Sequence, residues 1–578
     1  MSTPSTPTPS APSWPYCGYG AGLATDPVGC PGIHVPGHTS CLAHLNDTDR
    51  DAYLAPLTPG ADIDHRATPF TEPLLRALHD PTTQGPRMGA AVFGRAQFSD
   101  TASFDGAQFS EAAVFGRAQF SDTARFDGAQ FSGATSFRST QFSDTTRFGG
   151  AQFSSDGSFS GAQFSGDGSF DEAQFSGDTR FDRVQFAGNA EFRGARFAVM
   201  SSFGPAVCAK TVDLSDAVFG KRVALEIAAG FVHCERTQWE STAALRLRYA
   251  ATDLGHAALF YPMAVNAHPV SFTTRFGQTV DESLLAGSDD RVRLVSVQGV
   301  DAARLVLTDT DLSDCLFSEA FHLDQLRLEG RCTFAPTPTG LHRVWPYRWT
   351  RRRTLAEEHH WRAQTAGQPA PPPGQAPSPR HWHTGPHHPD PSLTPDPEDV
   401  VVLYRQLRKA FEDGKNEPGA ADFYYGEMEM RRHDRTGTPA SERGLLWGYW
   451  LLSGYGLRAS RSMGWLMTAI AATIVLMMGL GLPDSSQRQD AGGTGSTSGG
   501  QVTLTVDEQD PRLTLPIQDR FTAERFDKAL QVVLNSVVFR SSSQDLTTWG
   551  TYTAMLSRLT EPVLLALAVL AVRSRIKR

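Results

Sequence analysis

Residues 93–137 read FGRAQFSDTASFDGAQFSEAAVFGRAQFSDTARFDGAQFSGATSF, and phenylalanine recurs there at steps of five and six in strict alternation. The alternation runs unbroken to Phe203 and continues through Cys208, Leu214, Phe219 and Leu225. From 93 to 225 is 132 residues, or twelve units of eleven. A repeat this regular decides the architecture. A helix cannot hold it, because a five-and-six step walks around a 3.6-residue turn and leaves no apolar face. An extended chain can. Two places before each phenylalanine stands a small residue, such as Ala96, Ala107 or Ala118, which shares its face; the residue between points outward. In one class of unit that outward residue is Gln, at 97, 108, 119, 130, 141, 152, 163, 174 and 185.

Short faces with one inward ring each, turned by Ser, Gly and Asp, describe a coiled β-solenoid. Alternating steps stack ring on ring only if a coil has an even number of faces, and two faces cannot enclose a ring. Four faces and 22 residues per coil follow, making six coils over these residues, roughly 29 Å of rod. The expected core is Phe98, Phe104, Phe109, Phe115, Phe120, Phe126, Phe131, Phe137, Phe142, Phe148, Phe153, Phe159 and their successors. The outward glutamines are expected to form amide ladders.

These runs, AQFSDTARFDGAQFSGATSF among them, resemble the Phe-centred variant of pentapeptide-repeat proteins. The resemblance implies a mainly β fold, a right-handed quadrilateral β-helix. Every second unit departs from the family pattern by one extra residue, which we place in a corner. Leu307, Leu312 and Phe317 return to a pure five-residue step, while 226–300 holds β-rich runs without clean periodicity. One solenoid over 91–335 is the economical reading, with 61–90 as its N-terminal cap and the helical stretch Pro73–His79 within that cap.

Before it, 1–60 is a disordered Ser/Thr/Pro tail and a small Cys/His segment. Cys41-Leu-Ala-His44 has ligand-like spacing, and Cys17 with Cys30 would complete a Cys₃His zinc site. The alternative is three ordinary thiols, since no tight C-x2-C pair is present. Apart from this zinc, no cofactor is expected.

After the solenoid, 341–364 reads as a basic, aromatic helix, with Glu357, Glu358, His359 and His360 on a solvated face. Residues 365–396 form a Pro/His-rich linker, and 397–435 a helical hairpin stopped at Gly414 and resumed at Pro418. Within 445–482, Met463–Leu482 is twenty uncharged residues, long enough to span a bilayer. Trp447, Trp450 and Tyr455 precede it as an interfacial belt. A second span lies in 550–578, where Arg558 and Glu561 are spaced to pair on one helix face. Arg458 and Arg461 before the first span, and Arg573, Arg575, Lys577 and Arg578 after the second, put both flanks inside. The region 483–549 is then extracytoplasmic, with a short apolar helix at 526–539. No apolar leader opens the sequence, so solenoid and C-terminus are expected in the cytoplasm of a bacterium, below a multi-pass anchor in the cell membrane.

The net charge is −9, and residues 93–203 carry 13 acidic and 9 basic side chains. That balance does not suit nucleic-acid binding or phosphate mimicry. No phosphate loop, H-E-x-x-H or local nucleophile motif appears, so no enzyme is expected. The favoured function is a membrane-anchored structural or protein-interaction module, its partners being membrane lipid and a protein bound through the solenoid surface. The alternative is a two-span, pore-loop, channel-like protein with the solenoid as cytoplasmic sensor. There Thr547, Thr548 and Gly550 would echo a filter loop, and a homo-oligomer would be required.

Overall fold

The computed structural model describes residues 11–22, 26–78, 87–339, 351–370, 372, 378–385, 393–484, 489–492, 505–508, 513–537 and 545–576. The chain forms two compact units, Met1–Phe423 and Tyr424–Arg578.

The first unit is built on the expected solenoid, a parallel-strand coil of about 11 turns. Gln97–Phe98 pairs in parallel with Gln119–Phe120, which pairs with Gln141–Phe142, then Gln163–Phe164, then Gln185–Phe186. Three further ladders repeat this 22-residue stride, on Ala102–Ser103, Gln108–Phe109 and Ala113–Val114. Four walls result, as the alternation requires. The inward rings are fully buried. Along each wall they stack, Phe104 over Phe126 at 4.9 Å and 5°. Between opposite walls they meet edge to face, as Phe104 meets Phe115 at 5.4 Å and 81°. Both arrangements suit the ring quadrupole.

Corners are of two kinds. In the five-residue step the Ala107 N–H donates to the Phe104 carbonyl, and Gly106 sits at φ 62, the left-handed position of a type II turn. The six-residue step turns at Ser110–Ala112 and its equivalents. These corners stack so closely that a Cβ on Gly133 would lie 2.4 Å from the Glu111 carbonyl carbon. Aspartates tie corner to corner: Asp105 accepts from the Asp127 N–H (3.0 Å), and Asp127 from the Gly149 N–H (2.9 Å).

Past Phe219 the coil shortens to 20 residues. Phe219 faces Trp239 and then Leu259, while Leu225 faces Leu245 and then Val265. The stretch from 226 to 267 is therefore regular, although no periodicity was expected there. Val265 next faces Leu307, so an excursion intervenes. It folds back, placing Phe272, Val280 and Leu285 on Val207 and Ala228. Arg248 pairs with Glu282 of the same excursion at 3.0 Å.

The ladder starts earlier than expected. After α1 (Asp47–Leu54), strands Ala61–Asp64 and Pro69–Phe70 already belong to it, with Phe70 stacked on Phe98 at 5.2 Å. Helix α2 (Glu72–Arg76) is shorter than the helical stretch expected there. The segment that covers this end is the Cys/His segment itself.

At the other end, residues 341–350 of the expected basic helix lie outside the described residues. Helix α3 (Ala356–Thr365) follows a strand, Arg353–Thr354, paired antiparallel with Ala335–Pro336. Helix α4 (Pro397–Asp413) and helix α5 (Glu417–His433) are the two helices expected here, and α5 up to Phe423 belongs to the first unit. Within the first unit, Phe411 and Phe423 pack on Phe334 of the last coil, and Lys409 pairs with Asp324 at 2.7 Å.

The second unit holds the rest of α5, α6 (Ala440–Ser453), α7 (Ala459–Leu476), α8 (Ala523–Val537) and α9 (Thr548–Ile576). Two of its stretches, Ala459–Gly481 and Thr548–Arg573, are long and apolar enough to cross a membrane. Of the expected aromatic belt only Trp447 is exposed; Trp450 and Tyr455 are buried against Tyr425 and Met428. Most of the Gly/Ser-rich stretch 491–500 between these two helices lies outside the described residues.

Candidate functional site

The solenoid walls differ in chemistry. Two opposite walls carry the glutamines, stacked as 97, 119, 141, 163 and 185 on one and 108, 130, 152 and 174 on the other. The Gln119 amide donates to Gln141 at 3.2 Å and that of Gln163 to Gln185 at 3.4 Å. The two remaining walls are mixed: Ser103, Arg125, Arg147, Ser169 and Glu191 on one, Val114, Ser136, Ser158 and Arg180 on the other.

The N-terminal segment brings together the four residues singled out for metal ligation. The donor atoms of Cys17, Cys30, Cys41 and His44 lie within 4.8 Å of one another. Cys30 and Cys41 sulfurs are 3.7 Å apart, and the His44 Nδ1 is 3.3 Å from Cys41 and 3.5 Å from Cys17. A hydrogen bond from Cys41 pulls the Cys30 thiol down to about 5, and the same contact pushes Cys41 up. A second group, His233, Glu235 and Asp253, was not anticipated; it forms because the 20-residue coil sets His233 beside Asp253.

Glu357, Glu358 and His359, expected on a solvated face, are buried instead. Helix α3 lies across the solenoid end, so carboxylates that water would have solvated find protein partners. Glu357 accepts from the N–H groups of Phe317 and Ser318, closing backbone donors of the final coils. Glu358 accepts from Arg352 at 2.5 and 2.6 Å, from Arg362 at 2.7 Å and from the Tyr404 hydroxyl at 2.5 Å. His359 donates through Nε2 to Thr354 and accepts at Nδ1 from the His383 N–H, which fixes it as the neutral ring.

Burial holds His359 down to about 3, with the charge of His383 adding to the effect, and holds His65 at the opposite end down to about 4. A histidine near 6.5 when unfolded binds its proton first in the unfolded state, so stability falls as pH drops from about 6.5 toward those native values. Between pH 7.5 and 5.5 the two rings should together cost on the order of 3 kcal/mol. Denaturant midpoints of the full chain in detergent at the two pH values check this. The His65→Gln/His359→Gln double variant should lose most of the difference.

The residues expected to line a pore loop take another place. Thr547 caps α9: its hydroxyl accepts from the Gly550 N–H at 3.1 Å and donates to the Leu480 carbonyl. The Thr547 carbonyl accepts from the Thr551 N–H at 2.8 Å, so it enters the helix ladder rather than facing an ion path. Gly550 is a crossing point, where a Cβ would lie 2.8 Å from the Gly481 Cα. Arg525 of α8 donates to the carbonyls of Met478 and Leu482 and pairs with Asp484, closing the C-terminal end of α7. Further along the two apolar helices, the Thr473 hydroxyl donates to the buried Glu561 at 3.0 Å. Sequence reasoning set Glu561 against Arg558 and did not anticipate this partner on the other span.

Closed walls of stacked amides and mixed charges, covered at both ends, define a repeat solenoid. Residues 93–207 match the family described as Pentapeptide repeats (9 copies), in four overlapping stretches, 93–141, 115–163, 137–185 and 159–207. This part of the chain is a pentapeptide-repeat solenoid. No curated protein and no solved structure matches the chain.

Proposed function

We propose that the protein is a membrane-anchored interaction module whose solenoid presents its side walls to a protein partner. The observation that carries this reading is the pair of opposite amide walls. Glutamine repeats at every coil there, although an outward position on a rod needs only to be polar. A periodic row of paired donors and acceptors suits a repetitive or extended partner surface better than a point ligand. The two apolar helices would anchor the module in a cell membrane, with basic flanks placing the solenoid in the cytoplasm. Thr548 and Gly550 lie within α9 and Thr547 caps it, an arrangement that favours the anchor over the channel-like reading.

Two measurements test it. The full chain should stay with membranes after alkaline carbonate washing and be released by detergent; release by carbonate would defeat the anchor. In detergent, cross-linking from cysteines placed at Gln119 or Gln152 should capture a defined partner, and charge introduced along one wall (Gln119→Glu/Gln141→Glu/Gln163→Glu) should reduce capture at least tenfold. Unchanged capture by variants of both amide walls would overturn the assignment of the surface.

A further inference from the structure

We propose that Cys17, Cys30, Cys41 and His44 bind one structural zinc ion, and that this metal builds the N-terminal cap of the solenoid. The inference is independent of what the solenoid walls bind.

Three of the six donor–donor distances match the edges of a tetrahedron around zinc, and the other three are within 4.8 Å. Zinc with bonds of about 2.3 Å to sulfur and about 2.0 Å to nitrogen holds S···S near roughly 3.8 Å and S···N near roughly 3.5 Å. The pairs here are 3.7 Å for Cys30 with Cys41, 3.5 Å for Cys17 with His44 and 3.3 Å for Cys41 with His44. A disulfide needs sulfurs at about 2.0 Å, and all three cysteines are free thiols.

The surroundings are arranged for sulfur ligands. The backbone at Gly32 approaches the Cys41 side chain closely. Gly32 lets this approach happen, since a Cβ there would stand 2.8 Å from the Cys41 Cβ and 3.1 Å from its sulfur. The single turn Leu42–His44 puts Cys41 and His44 on one side, and Tyr19 stacks on the His44 ring at 4.1 Å and fixes its plane. Cys17 and Cys30 come from facing arms of a hairpin, closed by Cys17 N–H to Gly32 O and Gly18 N–H to Cys30 O.

The segment also needs what a metal supplies. Its helix α1 buries no residue, and a unit of this size rarely holds together on its apolar contacts alone. Yet it must grip the first coil. The Ile33 N–H donates to the Arg66 carbonyl, and Gly32 approaches the Thr68 backbone within 3.3 Å of its would-be Cβ. Trp14 receives both Arg66 and Arg95 over its ring, at 5.6 and 5.5 Å. Loss of the ion would leave Phe70, Phe93 and His65 under a cover with little else to order it.

The full chain, purified in detergent without metal-affinity resin, should contain close to one zinc per chain by elemental analysis. Replacement with cobalt should give the visible bands of a tetrahedral thiolate site. His44→Cys keeps four ligands and should keep the metal, whereas His44→Ala and Cys41→Ser should lose at least four-fifths of it. Cys234→Ser, at a buried thiol elsewhere, should change nothing. Chelation should raise amide exchange in residues 61–98 at least tenfold and leave coils around Phe148 unaffected. A metal-free wild-type chain in which Cys17, Cys30 and Cys41 all react as free thiols, or with a Cys30–Cys41 disulfide, overturns the proposal. So does equal zinc in wild type and His44→Ala.

Discussion

Phe148→Ala is expected to destabilise the middle of the solenoid by about 3–5 kcal/mol, the range for deleting a buried aromatic ring. The loss should be local. Phe148 stacks on Phe126 at 4.7 Å and on Phe170 at 4.9 Å, and meets Phe137 and Phe159 edge to face. Alanine removes the ring from these contacts and from those with Phe142 and Phe153, and the stacked neighbours cannot close the gap because their own backbones are fixed by the ladder stride. A repeat array distributes stability through nearest neighbours, so the coils from Phe126 to Phe170 should loosen while those around Leu245 and Val265 do not. Hydrogen exchange followed by mass spectrometry reads this directly. Amides of Phe126–Phe170 should lose roughly two to three orders of magnitude in protection, in line with that free energy. Unchanged protection there would mean that the rings do not carry the rod. A uniform loss over the entire solenoid would mean that it unfolds as one cooperative block.

How much of this was legible depends on whether a residue's environment is set by its own strand or by something distant. The rings from Phe93 to Phe203 declared four walls because each inward position repeats the same side chain at fixed steps. Trp239, Leu245, Leu259 and Val265 occupy equally regular positions, yet their varied identities hid a step that had become simpler. Cys41 and His44 were readable because one turn brings them together; Cys17 and Cys30 needed a hairpin that no spacing announces. Thr547 carried a helix-start signature, a hydroxyl residue before an apolar run. The neighbouring Thr548 and Gly550 drew attention to a filter instead. Glu357 and Glu358 were misplaced for a different reason. Charged neighbours on a short helix look solvated unless the surface that buries them is known, and that surface is the solenoid end, contributed by residues from 317 onward.

Glu358→Gln follows from that burial. The substitution preserves shape and removes charge, leaving Arg352 and Arg362 buried beside a neutral amide. Breaking one partner of a buried ionic cluster costs about 3–5 kcal/mol, because the remaining charges keep their desolvation penalty without compensation. The pairing with both arginines holds the native carboxyl far below its ordinary range, although burial alone would raise it. Its contribution is therefore complete above the unfolded value near about 4.3 and is lost as pH falls through the native one. The wild type should keep this contribution at pH 5.5, where only the histidines have begun to weaken it. The variant should lack it at every pH above 5. Removing the whole cluster, as Arg352→Met/Glu358→Leu/Arg362→Met with Tyr404→Phe, should cost less than Glu358→Gln alone, since the penalty and the attraction disappear together. Denaturant midpoints rank the three proteins. Because Arg352 and Tyr404 tie strand 353–354 and α4 to α3, the single variant should also free the cover of the last coil. Exchange should rise in α3 and α4 first, and the exposed ladder edge at Arg327–Glu329 should then promote association, visible as growth in light scattering. A Glu358→Gln protein as stable as wild type would mean that the two arginines reach water, and that the solenoid is closed at this end by apolar contact alone.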